Sequence, residues 1–360
     1  MEMDLGKWAT EHKIPDAVAM VARADEELFR DTHGEAEVDT IFAIASMTKA
    51  ITTTAAMQLV ERGKLSLDAP IGGELTDLPV LEGFDATGVP RFSAARYSPT
   101  LRQLLAHTAG FAYPWNHALL KQYGTIDRPF LIHEPGTRWY YGINIDWVGR
   151  FVESVSGQTL EDYFQEHILQ PLGMRETSFL LAPEKLPRLA RNYQRDDDGT
   201  LQLQPRVQPP TPAFFNGGGG LFSTAPDYLR FTQMILRRGL APNGERILSE
   251  ASISEMAKNQ TGSLDAGRIY TTMPTRSRNV DFHPGAHDQF GLGFLINPAP
   301  YANGRSAGSQ AWGGIRNTFY WIDPARSIAA VLLMQFQPFC DAAAMGLLRS
   351  FEAAVYNELV

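Results

Sequence analysis

The sequence predicts an α+β fold in which one antiparallel sheet takes strands from both ends of the chain. Residues 17–22 form a continuous apolar run, which is typical of a buried strand. Residues 317–322, which are rich in aromatic side chains, and the apolar run 328–334 are joined at Asp323-Pro324, a pattern that predicts a hairpin. Helical patterns dominate the chain between these ends. We therefore expect a sheet flanked by helices, with a mainly helical domain inserted between its first and last strands.

The chain has 360 residues, which is enough for a large core divided between two lobes. We expect the sheet domain to comprise residues 1–65 and 158–360, and the inserted, mainly helical domain to comprise residues 66–157. The first boundary rests on the prolines and glycines that are dense between residues 65 and 99 and that predict loops.

The individual elements follow from apolar periodicity and from the residues that begin and end helices. Short strands are expected at residues 41–44 and 290–296. The expected helices are 4–13, 46–62 with a stop at Gly63, 100–107, 145–156, 160–169, 225–238 and 342–358.

Composition excludes several functions. The net charge is −8 and there is no long basic run, so we do not expect nucleic acid as a partner. The single cysteine, Cys340, excludes an intrachain disulfide and a multi-cysteine zinc site, and we expect neither a metal nor a cofactor. No apolar run is long enough to span a membrane, and the first residues lack the apolar core of a signal peptide. We expect a soluble cytoplasmic protein that does not bind membranes; its oligomeric state is left open.

The segment Ser46–Lys49 (Ser-Met-Thr-Lys) provides the best candidate nucleophile. Residues three apart in a helix share a face, so the Ser46 hydroxyl and the Lys49 amine should lie side by side. The helix that follows is apolar on nearly every side, which predicts that it is buried and that Lys49 is buried with it. A hydroxyl becomes a good nucleophile only when a base takes its proton or its developing charge is stabilised. By itself, the pair also fits a helix-capping serine followed by a surface lysine.

A second serine motif has the spacing of a catalytic motif but not its surroundings. Gly304–Gly308 (Gly-Arg-Ser-Ala-Gly) has the spacing of a nucleophile elbow, which needs a buried strand before the serine and a helix after it. Prolines and glycines surround it instead, so we expect a polar hairpin loop and do not assign Ser306 as the nucleophile.

Four consecutive glycines, at residues 217–220, suggest a phosphate-binding loop. No Gly-Lys-Ser/Thr sequence follows them, which excludes a P-loop. We expect instead that they let the backbone approach a neighbouring strand closely.

Besides Lys49, a tyrosine is a candidate base for Ser46. Tyr140 and Tyr141 lie between Pro135-Gly136 and a predicted helix, and sequence physics alone does not choose between them. A phenol beside an ammonium group gives up its proton more readily and can then act as a base. His107 is the competing general base. Phe111, Tyr113 and Trp115 form an aromatic cluster that suits either a core or the wall of a pocket.

These motifs together resemble the serine β-lactamase and penicillin-binding protein superfamily on its class C side. The chain is most similar to the family VIII carboxylesterases and to the fungal acyltransferases that act on statin precursors. The matching segments occur in family order and span most of the chain; they are Ser46–Lys49, Leu104–Gly110, Pro135–Trp147, Gly218–Thr224 and Trp312–Gly314. The resemblance implies a β-lactamase/transpeptidase-like fold.

The resemblance also implies roles for individual residues. The family's second motif begins with the tyrosine six residues after the proline of Pro-Gly, which selects Tyr141. Ser46 would then be acylated, with Lys49 and Tyr141 as the base pair. The backbone N–H groups of Ser46 and Ile315 would form the oxyanion hole, which stabilises the charge that develops on the tetrahedral intermediate.

The chain departs from the β-lactamase pattern at two places. The third position of Tyr-x-Asn is Ile143, so Asn144 comes one residue late. Trp312-Gly313-Gly314 replaces the Lys-Thr-Gly whose lysine helps to bind a carboxylate, and an indole cannot attract a carboxylate. We therefore expect a neutral, apolar ester as the small-molecule substrate. The expected pocket residues are Trp312, Gly313, Gly314, Phe111, Tyr113, Trp115, Asn144, Phe214 and Phe215, with His283 and His287 at the rim.

The leading hypothesis from the sequence is a serine carboxylesterase that works through an acyl-enzyme on Ser46. The alternative is an acyltransferase with the same first half-reaction, and a weak β-lactamase or D-Ala-D-Ala peptidase is a further one. A non-catalytic binding protein on the same scaffold is the hypothesis from another class.

Overall fold

The computed structural model describes residues 3–123 and 129–359, with Glu74, Gln122 and Tyr123 described by their backbone alone. The helices are α1 (Leu5–Glu11), α2 (Thr48–Glu61), α3 (Leu101–Leu105), α4 (Ala118–Tyr123), α5 (Asn144–Ser156), α6 (Leu160–Phe164), α7 (Gln170–Leu172), α8 (Ala225–Leu236), α9 (Glu250–Met256) and α10 (Ala342–Glu358). Short 3-10 turns occupy Ala45–Met47, Gly73–Leu75 and Pro183–Arg188, and a π-helical turn occupies Gln165–Leu169.

The strands are β1 (Ala17–Ala22), β2 (Glu27–His33), β3 (Phe42–Ala43), β4 (Pro79–Phe84), β5 (Pro90–Ala94), β6 (Tyr193–Arg195), β7 (Leu201–Leu203), β8 (Phe222–Ser223), β9 (Gln289–Phe290), β10 (Leu295–Ile296), β11 (Gln310–Gly314), β12 (Thr318–Asp323), β13 (Ile328–Leu333) and β14 (Phe336–Gln337). Seven of them form the main sheet in the order β2-β1-β13-β12-β11-β10-β9, and all its pairs are antiparallel. β1 from the start of the chain lies beside β13 from its end, so the predicted sheet and fold class are confirmed.

Helices cover both faces of this sheet. Neighbouring residues of a strand point to opposite faces, and in β12 the ring of Tyr320 packs 5.0 Å from that of Tyr228 in α8. The next residue, Trp321, packs 5.4 Å from Phe351 in α10. Because β12 and β13 are buried along their whole lengths, they require an apolar layer on each side.

Several elements agree with the prediction and several do not. The 318–333 hairpin and α10 lie where they were expected, and α2 ends at Glu61, just before Gly63. The strand expected at 41–44 is reduced to β3, which pairs with β8 outside the main sheet. The strand expected at 290–296 is two strands, β9 and β10, because Gly293 turns the chain with φ +82°. A Cβ at Gly293 would lie 2.3 Å from Oγ1 of Thr53, so only glycine fits this turn.

The described residues of the segment 66–157 include helices α3, α4 and α5 and also the β4–β5 hairpin, which was not predicted. Its boundaries as a separate domain remain a prediction. Within the described residues, none of the helices is long and apolar enough to cross a membrane.

Candidate active site

Ser46 lies in a 3-10 turn that begins the long buried helix α2. The preceding residue, Ala45, has φ +45°, a left-handed conformation that costs a non-glycine residue about 1 kcal/mol or more. The turn is held from both sides, because the N–H of Ile44 donates to Leu221 O at 3.0 Å and the hydroxyl of Tyr228 donates to Met47 O at 2.8 Å. A sharp, fixed turn at this point presents the Ser46 hydroxyl to the adjacent cavity.

Two side chains contact Oγ of Ser46. The hydroxyl of Tyr141 lies 2.7 Å from it and Nζ of Lys49 lies 3.2 Å from it. The structure also distinguishes the two candidate tyrosines, because the Tyr140 hydroxyl donates to the carbonyl of Asn116 instead. The indole Nε1–H of Trp312 points at the Tyr141 oxygen at 3.4 Å. Serine, lysine and Tyr141 therefore form one connected group.

Lys49 is 1% exposed, and its amine has three oxygen acceptors. These are Oγ of Ser46, the hydroxyl of Tyr113 at 3.1 Å and the carbonyl of Gly218. An ammonium group carries three N–H donors and no acceptor. The surroundings of Lys49 thus match its protonated form, and the rings of Tyr113 and Tyr141, 5.4 and 5.0 Å from Nζ, add attraction for a cation.

Tyr113 was expected to line the pocket, and it also takes part in this network. Its hydroxyl donates to Oδ2 of Asp146 at 2.8 Å. Burial raises the pKa of Tyr113 well above its ordinary value, and the negative charge of Asp146 raises it further. Tyr113 therefore stays protonated, and its hydroxyl connects the ammonium of Lys49 to the carboxylate of Asp146. This leaves Tyr141 as the phenol that can exchange a proton with Ser46.

His107, the competing general base, is fully buried and does not contact Ser46. Burial lowers its pKa well below the ordinary value, with the charge of Lys49 as the second cause. Its Nδ1 lies 2.9 Å from Nδ2 of Asn144, and its ring packs 4.7 Å from that of Tyr141. The imidazole is thus neutral, and it packs against the ring of Tyr141.

The end of β11 approaches the 3-10 turn Ala45–Met47 closely because it is made of glycine. A Cβ at Gly314 would lie 2.3 Å from the carbonyl oxygen of Ile44. Ser46 and Ile315, whose N–H groups are the expected oxyanion donors, line the same cavity.

The glycine run 217–220 also lets the backbone approach a neighbouring element closely. A Cβ at Gly217 would lie 2.9 Å from Cα of Gly149, and one at Gly218 would lie 2.0 Å from Oδ2 of Asp146. Close approach was expected, but the neighbour is helix α5 rather than a strand.

The cavity beside Ser46 has a volume of about 180 Å³. Its lining residues are Ala45, Ser46, Tyr113, Trp115, Tyr141, Asn216, Gly218, Gly219, Gly220, Ile269, Arg276, Trp312, Gly313, Ile315 and Phe339. Trp115, Trp312 and Gly313 were expected there. Asn216, Ile269, Arg276 and Phe339 were missed, because they come from loops whose position depends on distant contacts. The glycine run was the one local signal for its part of the wall.

Seven residues expected at the pocket are not among its lining residues. Gly314, at the end of β11, lies against Ile44 instead. Asn144 is fully buried against His107, and Phe111 is 1% exposed with its ring 6.2 Å from that of Trp147, so neither can reach a substrate. The others are corrected as follows: Phe214 is exposed beside Arg150, Phe215 packs on Phe179, His283 stacks on Tyr301, and His287 is exposed beside Asp265.

Ser306, the serine of the Gly304–Gly308 motif, lies in the loop between β10 and β11 as expected. Its backbone N–H donates to Oδ2 of Asp323 at 2.8 Å, so the loop has a structural role. Among the described residues, no group of three or more histidine, cysteine, aspartate or glutamate side chains is arranged to hold a metal ion.

The fold agrees with the comparisons to known proteins. The Beta-lactamase family model matches residues 3–353, so the chain belongs to this family and is an enzyme of the serine β-lactamase-like superfamily. It is 34% identical to the Monacolin J acid methylbutanoyltransferase of Aspergillus terreus over 89% of this chain and 83% of that protein. It is 30% identical to the Lovastatin esterase of Penicillium rubens over 83% of this chain and 80% of that one.

Among solved structures, the chain is similar to the LovD6 mutant of the simvastatin synthase LovD from Aspergillus terreus. The TM-score is 0.84 at 31% identity, and the match covers 98% of this chain and 95% of the other. The resemblance drawn from the sequence motifs is thereby confirmed.

Proposed function

We propose that this protein is an acyltransferase that forms an acyl-enzyme on Ser46 and passes the acyl group to an alcohol. The observation that carries the proposal is the convergence of Tyr141 and Lys49 on Oγ of Ser46 beside an aromatic-lined cavity. Relatives that are named as acyltransferases favour transfer over the plain ester hydrolysis that led the sequence-based hypotheses.

In the first half-reaction, Tyr141 acts as a phenolate paired with the ammonium of Lys49. It takes the proton of Ser46, whose oxygen attacks the carbonyl carbon of the donor ester. The oxyanion is held by the N–H groups of Ser46 and Ile315. When the intermediate collapses, Tyr141 returns the proton to the leaving alcohol and the acyl group remains bonded to Ser46.

The second half-reaction reverses these steps with a different alcohol. Tyr141 takes the proton of the acceptor hydroxyl, the acceptor oxygen attacks the acyl carbon, and Ser46 leaves and recovers its proton. Trp312 assists at both stages, because its indole N–H is directed at the Tyr141 oxygen and stabilises the phenolate. The aromatic walls favour an apolar acyl or alcohol group.

Hydrolysis is the second candidate, and a relative named as an esterase supports it. Water would then replace the acceptor at the acyl-enzyme. The two activities are separated by product analysis with p-nitrophenyl butyrate as donor and a primary alcohol as co-solvent. An acyltransferase gives mainly the new ester, with Ser46→Ala defining the background. Butyric acid as the sole product at every alcohol concentration would reject transfer and leave an esterase.

A further inference from the structure

The cavity beside Ser46 contains one charged residue, Arg276, among the lining residues that the structure describes. The remaining lining residues are apolar, aromatic, small or neutral polar. Arg276 is an exposed residue, and its guanidinium forms no ion pair or side-chain hydrogen bond with any described residue. A cation without a partner in an otherwise uncharged cavity is available to a ligand.

The backbone fixes Arg276 in this position. Its N–H donates to Met273 O at 2.9 Å, and its carbonyl accepts the N–H of Phe339 at 3.0 Å. The N–H of Arg278 donates to Phe339 O at 2.8 Å, so the two segments are bonded on either side of the Ser277–Phe339 bridge. Phe339 itself lines the cavity. Arg276 thus belongs to a fixed part of the wall.

A second arginine adds positive charge at the same place. Arg316 is partly buried, and its side chain donates to two neutral groups, Oδ1 of Asn192 at 2.8 Å and Oε1 of Gln337 at 3.3 Å. Burial lowers the pKa of Arg316, and the charge of Arg276 lowers it further. Neither arginine has a carboxylate partner in the described part of the chain. An anion bound between the substrate cavity and the two arginines would reduce the electrostatic repulsion between their positive charges.

The nearest acidic residues do not neutralise Arg276. Asp196, Asp197 and Asp198 border a separate, open cavity of about 670 Å³ that also touches Arg276. None of their carboxylates forms an ion pair with it, and all three are exposed. Exposed charges of this kind are well hydrated and attract a surface cation weakly.

We propose that Arg276, supported by Arg316, is a carboxylate-binding subsite, and that the substrate carries a carboxylate away from the bond that reacts. A guanidinium can hold a carboxylate with two parallel hydrogen bonds. The proposal deepens the proposed acyl transfer and rests on it for the identity of the substrate. It replaces the expectation of a neutral substrate, which considered only the loss of a lysine at Trp312 and could not place Arg276 in the cavity.

The test begins with binding, which needs no chemistry. Isothermal titration calorimetry compares 4-phenylbutyrate with 4-phenylbutyramide, which share an apolar body and differ in charge. We expect the carboxylate to bind roughly tenfold more tightly. In Arg276→Gln this ratio falls to about one, and Arg276→Lys retains part of it. The matched control is Arg278→Gln, which removes an exposed arginine of the same segment outside the cavity and keeps the full ratio.

Equal affinities in the wild type, or a preference that survives Arg276→Gln, would overturn the subsite. The second result would assign the carboxylate to a group other than Arg276. Loss of the acyl-enzyme on Ser46 would sink the proposed function and leave the binding ratio intact, so the two failures are distinguishable.

A kinetic arm then locates the carboxylate on the substrate. One comparison uses p-nitrophenyl butyrate and the p-nitrophenyl monoester of adipic acid as donors. The other uses an apolar hydroxy acid and its methyl ester as acceptors. If Arg276→Gln removes about tenfold in kcat/KM from the charged donor alone, the acyl group carries the carboxylate. If it removes that factor from the charged acceptor alone, the alcohol carries it. No difference in either comparison would contradict the proposal.

Discussion

The hydroxyl of Tyr141 lies 2.7 Å from Oγ of Ser46, although 95 residues separate the two along the chain. Their meeting depends on three close approaches. Helix α5 packs on α2, His107 packs against the Tyr141 ring, and Trp312 covers its other side at a ring distance of 5.0 Å. The phenol is therefore held in place before a substrate binds, which is the arrangement that general acid–base catalysis requires.

Removing this hydroxyl should abolish most of the activity. Tyr141→Phe keeps the ring and its packing, so we expect a folded protein whose kcat/KM is lower by a factor of at least about 100. The matched control is Tyr140→Phe, which removes a neighbouring hydroxyl bonded to a carbonyl away from Ser46. If Tyr141→Phe remained active while His107→Gln was folded and inactive, a Ser–His mechanism would replace this one.

Tyr113 should matter both for stability and for turnover. Tyr113→Phe leaves one N–H of the buried Lys49 and one oxygen of Asp146 without their shared partner. The free energy of unfolding should fall by about 1–3 kcal/mol, the usual cost of a buried group that loses its hydrogen bond. Urea titration and kcat are the measurements, and Tyr97→Phe, which alters a 74% exposed ring, is the control. An unchanged stability would show that Lys49 does not need this acceptor.

Glycine at position 314 should be required for the site. Gly314→Ala places a Cβ 2.3 Å from Ile44 O and from Oγ1 of Thr318. Strand β11 must then move away from the turn Ala45–Met47, at a cost of about 1–3 kcal/mol for overpacking. The kcat value should fall as a result. Gly72→Ala is the control, because Gly72 has φ −87° and no atom within 4 Å of the added Cβ. Equal kcat values for the two variants would contradict the close approach.

The pH dependence of stability should contain a contribution from His283. Burial, and then the charge of Arg305, lower the pKa of His283 to about 3 from an ordinary value of 6.5. Below pH 6.5, His283 therefore binds a proton in the unfolded chain, whereas in the folded chain it stays neutral until the pH approaches 3. As the pH falls from 6.5 toward 3, this group reduces the free energy of unfolding by up to about 1.4 kcal/mol per pH unit.

His283→Gln lacks this contribution, so the difference in stability between wild type and variant should shrink as the pH falls. Urea titrations at pH 7, 6 and 5 measure it. A difference that stays constant over this range would mean that His283 takes up its proton equally in both states.

The local parts of the fold were predictable from the sequence. Continuous apolar runs identified β1 and β13, and the Ser46 helix and α10 were evident from composition and from their terminal residues. The β4–β5 hairpin was not predicted because its prolines and glycines suggested loops. Strand β2 was not predicted because none of its residues is fully buried. These strands are specified by their neighbours more than by their own pattern.

The site residues that belong to a sequence motif were predictable, and the others were not. Ser46 and Lys49 are three residues apart, in the 3-10 turn and in the first turn of α2, so their proximity was predictable from spacing. The family motif was needed to prefer Tyr141 to Tyr140. Arg276 is placed in the cavity wall because its backbone pairs with Phe339, 63 residues later in the chain. No local sequence pattern predicts such a contact. Asn144 was wrongly placed in the pocket because a motif position does not show which way a side chain points. Phe111 was wrongly placed there because an aromatic cluster suits a core as well as a pocket wall.

The most direct test of the account is the covalent labelling of the nucleophile. The protein is treated with a serine-reactive phosphonate and separately quenched during turnover of p-nitrophenyl butyrate, and the modified peptide is located by mass spectrometry. We predict a single adduct on Ser46 in both experiments and none in Ser46→Ala. An adduct on Ser306, or turnover without any modification of Ser46, would contradict it.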